Sequence, residues 1–318
     1  MQTAYLDHRD LQIGFEGGTI VLRDQDGQRL GTLPARNIER LILQGEMLCS
    51  TGAMRHLLEQ GTSIVWLSAR KSHPVASLHG GLHGDARIRL QQYQSYTNEA
   101  FRLRFARRVV LSKLQGQQHQ ISQWLHGTGS RHRILLQAQT DIAGAIEALE
   151  AATTIDAIMG HEGQSAHAYF RVLFAQIPQA VSSQARTRRP PQDPINAILS
   201  LAYTLTHHEA VSACYAVGLD PYIGFLHEVS VGRESMACDL NEFLRQTVDA
   251  FAVHIFREEI LRKEHFSKEA DAGCILGKAG RAHFYRGWAQ VAPTVRRMAR
   301  RYARWAVGIV REQGVPPS

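Results

Sequence analysis

At residues 79–85, HGGLHGD, the hydrophobic period of this 318-residue chain changes. Before the run, apolar residues alternate over short stretches; after it, they recur at helical spacing. An alternating pattern suits a half-buried strand and a period of about 3.6 suits an amphipathic helix, so the two halves fold as different element types. The glycine-rich run is read as a linker between a β-rich domain (1–78) and a larger helical domain (86–318). The expected fold class is α+β, with a small β-sandwich-like N-terminal domain followed by a larger all-α domain.

In the first domain, strands are expected at Ala4–Leu6, Leu11–Phe15, Thr19–Leu22, Arg29–Leu33, Ile38–Leu43 and Ser63–Leu67. Asp26-Gly27 is a hairpin turn signal between the third and fourth. One helix interrupts them, capped by Ser50 or Thr51, with Met54, Leu57 and Leu58 on its buried face and Gly61 at its end. In the second domain, helical periodicity runs from Ala86 to about Leu125, from Thr154 to Ile177, from Ile195 to a stop at Gly218, from Phe243 to Arg262 and from Thr294 to Arg311. Gly273, Gly277 and Gly280 are expected to break the chain around a short apolar CIL.

Charge points to an anionic partner. Lysine plus arginine outnumber aspartate plus glutamate by 36 to 29, the pI is about 9.4, and arginine dominates. Arg296, Arg300 and Arg304 recur at i, i+4 and i+8, either a phosphate track or a solubilising face. The segment RTRRPPQDP, whose prolines forbid a continuous helix, presents Arg186, Arg188 and Arg189 on a loop or extended arm. These six arginines are the DNA-binding candidates. The four cysteines are far apart and form no CxxC pair, which argues against a zinc knuckle or a disulfide framework and fits a reducing cytoplasm. No signal-peptide pattern and no membrane-length apolar run is visible, so a soluble, unexported protein is expected.

Four residues gather metal-site chemistry. Glu162 shares a helix face with Ala166, Tyr169 and Leu173, and a carboxylate on a packed face requires pairing, hydrogen bonds or a cation. The surrounding HEGQSAH separates its histidines by six residues, so it is not the HExxH of a zinc protease. His227 closes an apolar run, and Asp239 and Glu242 follow three residues apart on one helix face. Three carboxylates with one imidazole and no cysteine suit Mg2+ or Mn2+ better than zinc. Such ions promote phosphodiester chemistry, which is consistent with the arginine content.

The stretches GHEGQSAHAYF, RRPPQDPINAILS, GLDPYIGFLH and GRESMACDLNEFLR, in this order, closely resemble the CRISPR-associated spacer-acquisition integrases, the first family of CRISPR-associated proteins. The resemblance covers essentially the whole chain. It implies a homodimer made by the β domain, a helical domain with a metal held by Glu162, His227 and Glu242, and Asp239 as a supporting acid. It further implies partnership with the small second CRISPR-associated protein. The implied activity is endonuclease and integrase: short double-stranded DNA fragments are inserted into CRISPR array DNA as an antiviral defence. Asn196 and Tyr203 match family positions near the site, and also suit a helix start and a core. His161, Cys238 and Asn241 depart from the usual pattern without removing a ligand. Two other readings stay open: a non-catalytic DNA-binding scaffold subunit, and a metallohydrolase of small phosphoesters that would leave the arginine stripes without a purpose.

Overall fold

The computed structural model describes residues 2–68, 74–80, 84–125, 132–182, 185–188, 190–269 and 273–313. The chain divides into two compact units, one made of Met1–Leu82 with Tyr285–Pro293, the other of His83–Phe284 with Thr294–Ser318. Leu82 and His83 themselves, in the middle of the expected linker, lie outside the described residues.

The first unit contains β1 (Gln2–Asp7), β2 (Leu11–Glu16), β3 (Thr19–Arg23), β4 (Arg29–Pro34), β5 (Ile38–Gln44), β6 (Met47–Cys49), α1 (Thr51–Glu59), β7 (Ser63–Leu67) and β8 (Pro74–Leu78). They form two four-stranded sheets, ordered β1-β5-β7-β8 and β4-β3-β2-β6. In the first sheet β5 lies parallel to both β1 and β7, with Leu41 opposite Ala4 and Ile64. This central position explains why β5 is buried nearly throughout, with Leu41, Ile42 and Leu43 consecutive and apolar at its centre. Leu11, Ile13 and Ile20 from one sheet meet Leu41, Leu43 and Ile64 from the other, with Ala53 and Leu57 of α1 closing the core. The Ser50 hydroxyl caps α1 by accepting from the Ala53 amide. Tyr285 stacks on Tyr5 at 4.3 Å and donates its hydroxyl to Gln44. The six expected strands are present, and β6 and β8 are additional. Three residues are too few to show an alternating pattern, and β8 opens on a proline, which an edge strand tolerates.

The second unit is built from α2 (Ala86–Tyr96), α3 (Glu99–Leu125), α4 (His132–Ala151), α5 (Ile155–Ala175), α6 (Pro194–Val217), α7 (Ser235–Glu242), α8 (Arg245–Arg257), the hairpin β9 (Phe266–Glu269) and β10 (Gly273–Leu276), and α9 (Lys278–Gln313), whose residues 285–293 belong to the first unit. α6 starts at Pro194, is capped by Asp193 and stops at Gly218. Buried on nearly every side, it packs against α7, α8 and β10. The 86–125 segment is two helices, because the Asn98 side chain accepts from the Phe101 amide and starts a new one.

Two expectations are corrected here. The helix expected to reach Arg262 ends at Arg257, with Glu259 at φ 51°. Within the helical domain the CIL residues lie in β10, whose Cys274 amide donates to Pro191 O at 2.8 Å. Gly280 does not break the chain; it lies inside α9, where a Cβ would come within 2.5 Å of Leu276 Cδ1. Its lack of a side chain permits close packing.

Candidate active site

The loop between α6 and α7 carries His227, and its course is set by a glycine and an aspartate. At Gly224 a Cβ would lie 2.6 Å from the Ser235 carbonyl carbon, so only glycine lets this strand of loop pass the start of α7. One residue on, Phe225 is fully buried and packs edge-on against Phe101 and Phe105 of α3, at 4.9 and 4.7 Å. Asp239 then gathers the backbone: its Oδ2 accepts from the amides of Phe225 (2.6 Å) and Leu226 (3.0 Å), and its Oδ1 accepts from the amide of His227 (2.9 Å) and pairs with that residue's Nδ1 (2.8 Å). Asp239 has no exposed surface. It is therefore a positioning residue: it supports His227 and faces no open space of its own. Burial lowers the His227 pKa, and the hydrogen bond and charge of Asp239, aided by Glu242, outweigh burial and raise it.

The two glutamates meet through a lysine. Lys113, on α3, pairs with Glu162 Oε1 of α5 and, at 2.6 Å, with Glu242 Oε2 of α7. Arg245, one helical turn past Glu242, clamps the same carboxylate with Nε and Nη2, both at 2.7 Å. Burial of Glu242 opposes its ionisation, yet Arg245 and Lys113 hold its pKa well below the usual carboxylate range. Arg245 is correspondingly raised against its own burial. The partner that Glu162 required is thus Lys113, a buried lysine in the middle of α3. The missed signal lies in register: Lys113 is i+8 from Phe105 and i+4 from Val109, both fully buried.

Behind the glutamates, the Tyr203 hydroxyl donates to Asp249 Oδ1, and Arg245 and Arg186 lie over the Tyr203 ring at 4.8 and 5.8 Å. Burial raises the Asp249 pKa to about 6, although Tyr203 and Arg245 pull it down. Asn196 is fully buried at the start of α6: its amide and side chain both bond to Asp193, and its Oδ1 accepts from Arg186 and from the Thr187 amide.

The arginine candidates separate. Arg186 turns inward, bonded to Asn196 and Thr187 O, so it is a structural part of this cluster. Arg188 is exposed, and Arg189 lies outside the described residues. On α9, Arg300 and Arg304 are exposed, as are Arg297 and Arg301. Arg296 departs from the expected stripe: it is 7% exposed and ion-paired with the equally buried Glu209 at 3.5 Å, because its position faces the core with Val295 and Ala299. A buried arginine cannot track phosphates, so the cationic face of α9 begins at Arg297.

Among the described residues, no group of three or more histidine, cysteine or acidic side chains is arranged to hold a metal ion. The structure brings Glu162 and Glu242 to the Lys113 ammonium and brings His227 to Asp239. The donor types nevertheless fit a hard divalent cation. Two carboxylates from different helices converge on one cationic atom. The imidazole, tied through Nδ1 to a buried carboxylate, keeps Nε2 for a ligand, as metal-binding histidines do.

Residues 4–290 match the family described as CRISPR associated protein Cas1. The CRISPR-associated endonuclease Cas1 1 of Thermodesulfovibrio yellowstonii is 32% identical over 303 residues, which cover 93% of each chain. Among solved structures, a Cas1 protein from Thermotoga maritima superposes over 100% of this chain and 99% of its own, with a TM-score of 0.84 at 21% identity. A casposase bound to integration product (97% of this chain and 91% of its own, 18% identity) and a Cas6-RT-Cas1–Cas2 complex (98% of this chain and 35% of that one, 20% identity) each give a TM-score of 0.80. The shared architecture, together with identity at this level along nearly the entire length, places the chain in the Cas1 family of CRISPR-associated endonucleases.

Proposed function

We propose that this protein is a divalent-metal-dependent DNA endonuclease and integrase that inserts short double-stranded DNA fragments into a CRISPR array. In each joining step the free 3′-hydroxyl of a fragment forms a new bond to an array phosphorus. The bond from that phosphorus to its 3′ oxygen breaks, and the array is left with a 3′-hydroxyl end. Phosphodiester number is conserved, so no external energy source is required.

One observation carries the reading: carboxylates from α5 and α7 converge on a single cationic atom, in the same unit as an imidazole oriented by a buried aspartate. Glu162, His227 and Glu242 would hold Mg2+ or Mn2+, whose chemistry when bound is to polarise the phosphodiester and ease deprotonation of the attacking hydroxyl. Asp239 keeps the His227 ring in place. Arg245 neutralises and orients Glu242. The exposed arginines of α9 supply backbone contacts without sequence preference. Further support comes from the casposase bound to integration product and from the Cas1–Cas2 complex that share the fold. On this reading a small Cas2-type protein is a partner and the β-rich unit makes a homodimer. No described helix is long and apolar enough to cross a membrane.

The test is to incubate the full chain, with and without a Cas2-type partner, with a fragment bearing free 3′-hydroxyl ends, a supercoiled plasmid carrying the repeat, and Mn2+ or EDTA. Joined, relaxed plasmid only with metal is expected. Tight DNA binding with no joined product under any condition would favour the scaffold reading.

A further inference from the structure

The Lys113 ammonium occupies the point on which Glu162 and Glu242 converge. The side chain is 6% exposed, so this is a built interior contact and not a surface pairing. Charge balance makes its presence consequential. Glu162 and Glu242 carry two negative charges, and Lys113 and Arg245 carry two positive ones, so the set is neutral as it stands. Adding a divalent cation without moving anything would leave these four side chains with an excess of positive charge, and burying unbalanced charge costs several kcal/mol. Arg245 is fixed by two hydrogen bonds to Glu242 and by the Tyr203 ring. Lys113, on a flexible stem, is the group that can leave.

The structure also holds a place for it to go. Gln117, one turn further along α3 and on the same face, is 2% exposed, and its side-chain oxygen is buried without a hydrogen-bond partner among the described residues. A buried amide oxygen without a donor is costly, and an ammonium one turn away can satisfy it.

We propose that Lys113 is an internal counter-ion that keeps the metal-free site closed, and that divalent metal binding exchanges it out of the Glu162–Glu242 pair onto Gln117. The lysine thus competes with the metal and sets its affinity, while holding the acids together when no metal is bound. This inference rests on the assignment of Glu162 and Glu242 as metal ligands.

The test is Mn2+ binding to the full chain, measured by calorimetry and by electron paramagnetic resonance of free Mn2+, with thermal melts in EDTA and in Mn2+. Lys113→Met removes the competitor at similar length. It should bind Mn2+ about tenfold or more tightly and melt at lower temperature in EDTA, which widens the stabilisation gained from Mn2+. Gln117→Leu fills the same volume without the acceptor and should bind Mn2+ more weakly than the parent. Should Lys113→Met fail to fold, Gln117→Leu and amine labelling of the parent protein remain. Lys113 should be acylated at a different rate in Mn2+ than in EDTA, with the exposed Lys263 as internal control. Equal Mn2+ affinity in parent and both variants, or an unchanged Lys113 labelling rate, would overturn the exchange while leaving the metal site standing. No Mn2+ binding by parent or variants would overturn the metal assignment itself.

Discussion

Asp239 and His227 are joined twice through one oxygen: Asp239 Oδ1 accepts the His227 backbone amide at 2.9 Å and pairs with its ring Nδ1 at 2.8 Å. The same carboxylate satisfies the amides of Phe225 and Leu226, so a single fully buried side chain fixes three consecutive residues and the orientation of the imidazole. The loop has no secondary structure of its own to do this.

Asp239→Ala is accordingly a stability variant as well as an activity variant. Three backbone amides, those of the buried Phe225 and Leu226 and of the half-buried His227, lose their acceptor, and each loss at a buried group costs about 1–3 kcal/mol. The expected outcome is a loss of at least about 3 kcal/mol in urea denaturation. His227→Ala, which removes a partly exposed ring and leaves the amides paired, should lose less than about half of that. Equal stability of the two variants would contradict this account of the loop.

A second histidine gives a pH signature of its own. Burial disfavours charge on His207, but hydrogen bonds and charge from Cys238 and Glu234, the latter at 2.7 Å, win and raise its pKa to about 9. Its unfolded value is near 6.5. A group raised on folding contributes its full stability below the unfolded value and loses that contribution as pH climbs through the folded one. Thermal stability of the parent should therefore fall between pH 6.5 and about 9 by more than that of His207→Gln, by up to about 3 kcal/mol. Parallel melting curves for the two proteins across that window would refute it.

On α9 the two kinds of arginine should respond differently. Replacing the exposed Arg300 and Arg304 with glutamine should lower the salt dependence of binding to unrelated DNA duplexes by about two units of slope, since each lost phosphate contact removes nearly one released counterion. Arg296→Gln should leave the slope unchanged and destabilise the fold by a few kcal/mol, because it breaks a buried ion pair with Glu209. Titrations at several salt concentrations, run beside urea melts, separate the two effects.

Local signals made much of the fold legible. The alternating apolar pattern located six strands, and the prolines before Ile195 with the stop at Gly218 bounded α6, which starts one residue earlier, at Pro194. What local pattern could not carry was pairing between distant segments. β9 and β10 are four residues each and are recognisable through their ladder and through the Cys274 bond to Pro191. Helical periodicity likewise put Arg296 in line with Arg300 and Arg304, but the width of the buried face of α9 is set by what packs on it. In the site, acids and histidine were visible as residue types in suggestive spacing. Lys113 was not read with them: its register with Phe105 and Val109 places it on the buried face of α3, but its role shows only where Glu162 and Glu242 meet its ammonium.

On the proposed function, Glu162 and Glu242 act as one cation site for DNA strand transfer. The most direct measurement is the rate of 3′-hydroxyl joining to supercoiled plasmid in Mn2+ by the parent and by Glu162→Ala, Glu242→Ala and His227→Ala, each first shown by circular dichroism to be folded. Each variant should lose about 100-fold or more of the joining rate while retaining DNA binding. A folded Glu162→Ala protein that joins DNA at the parental rate would contradict it.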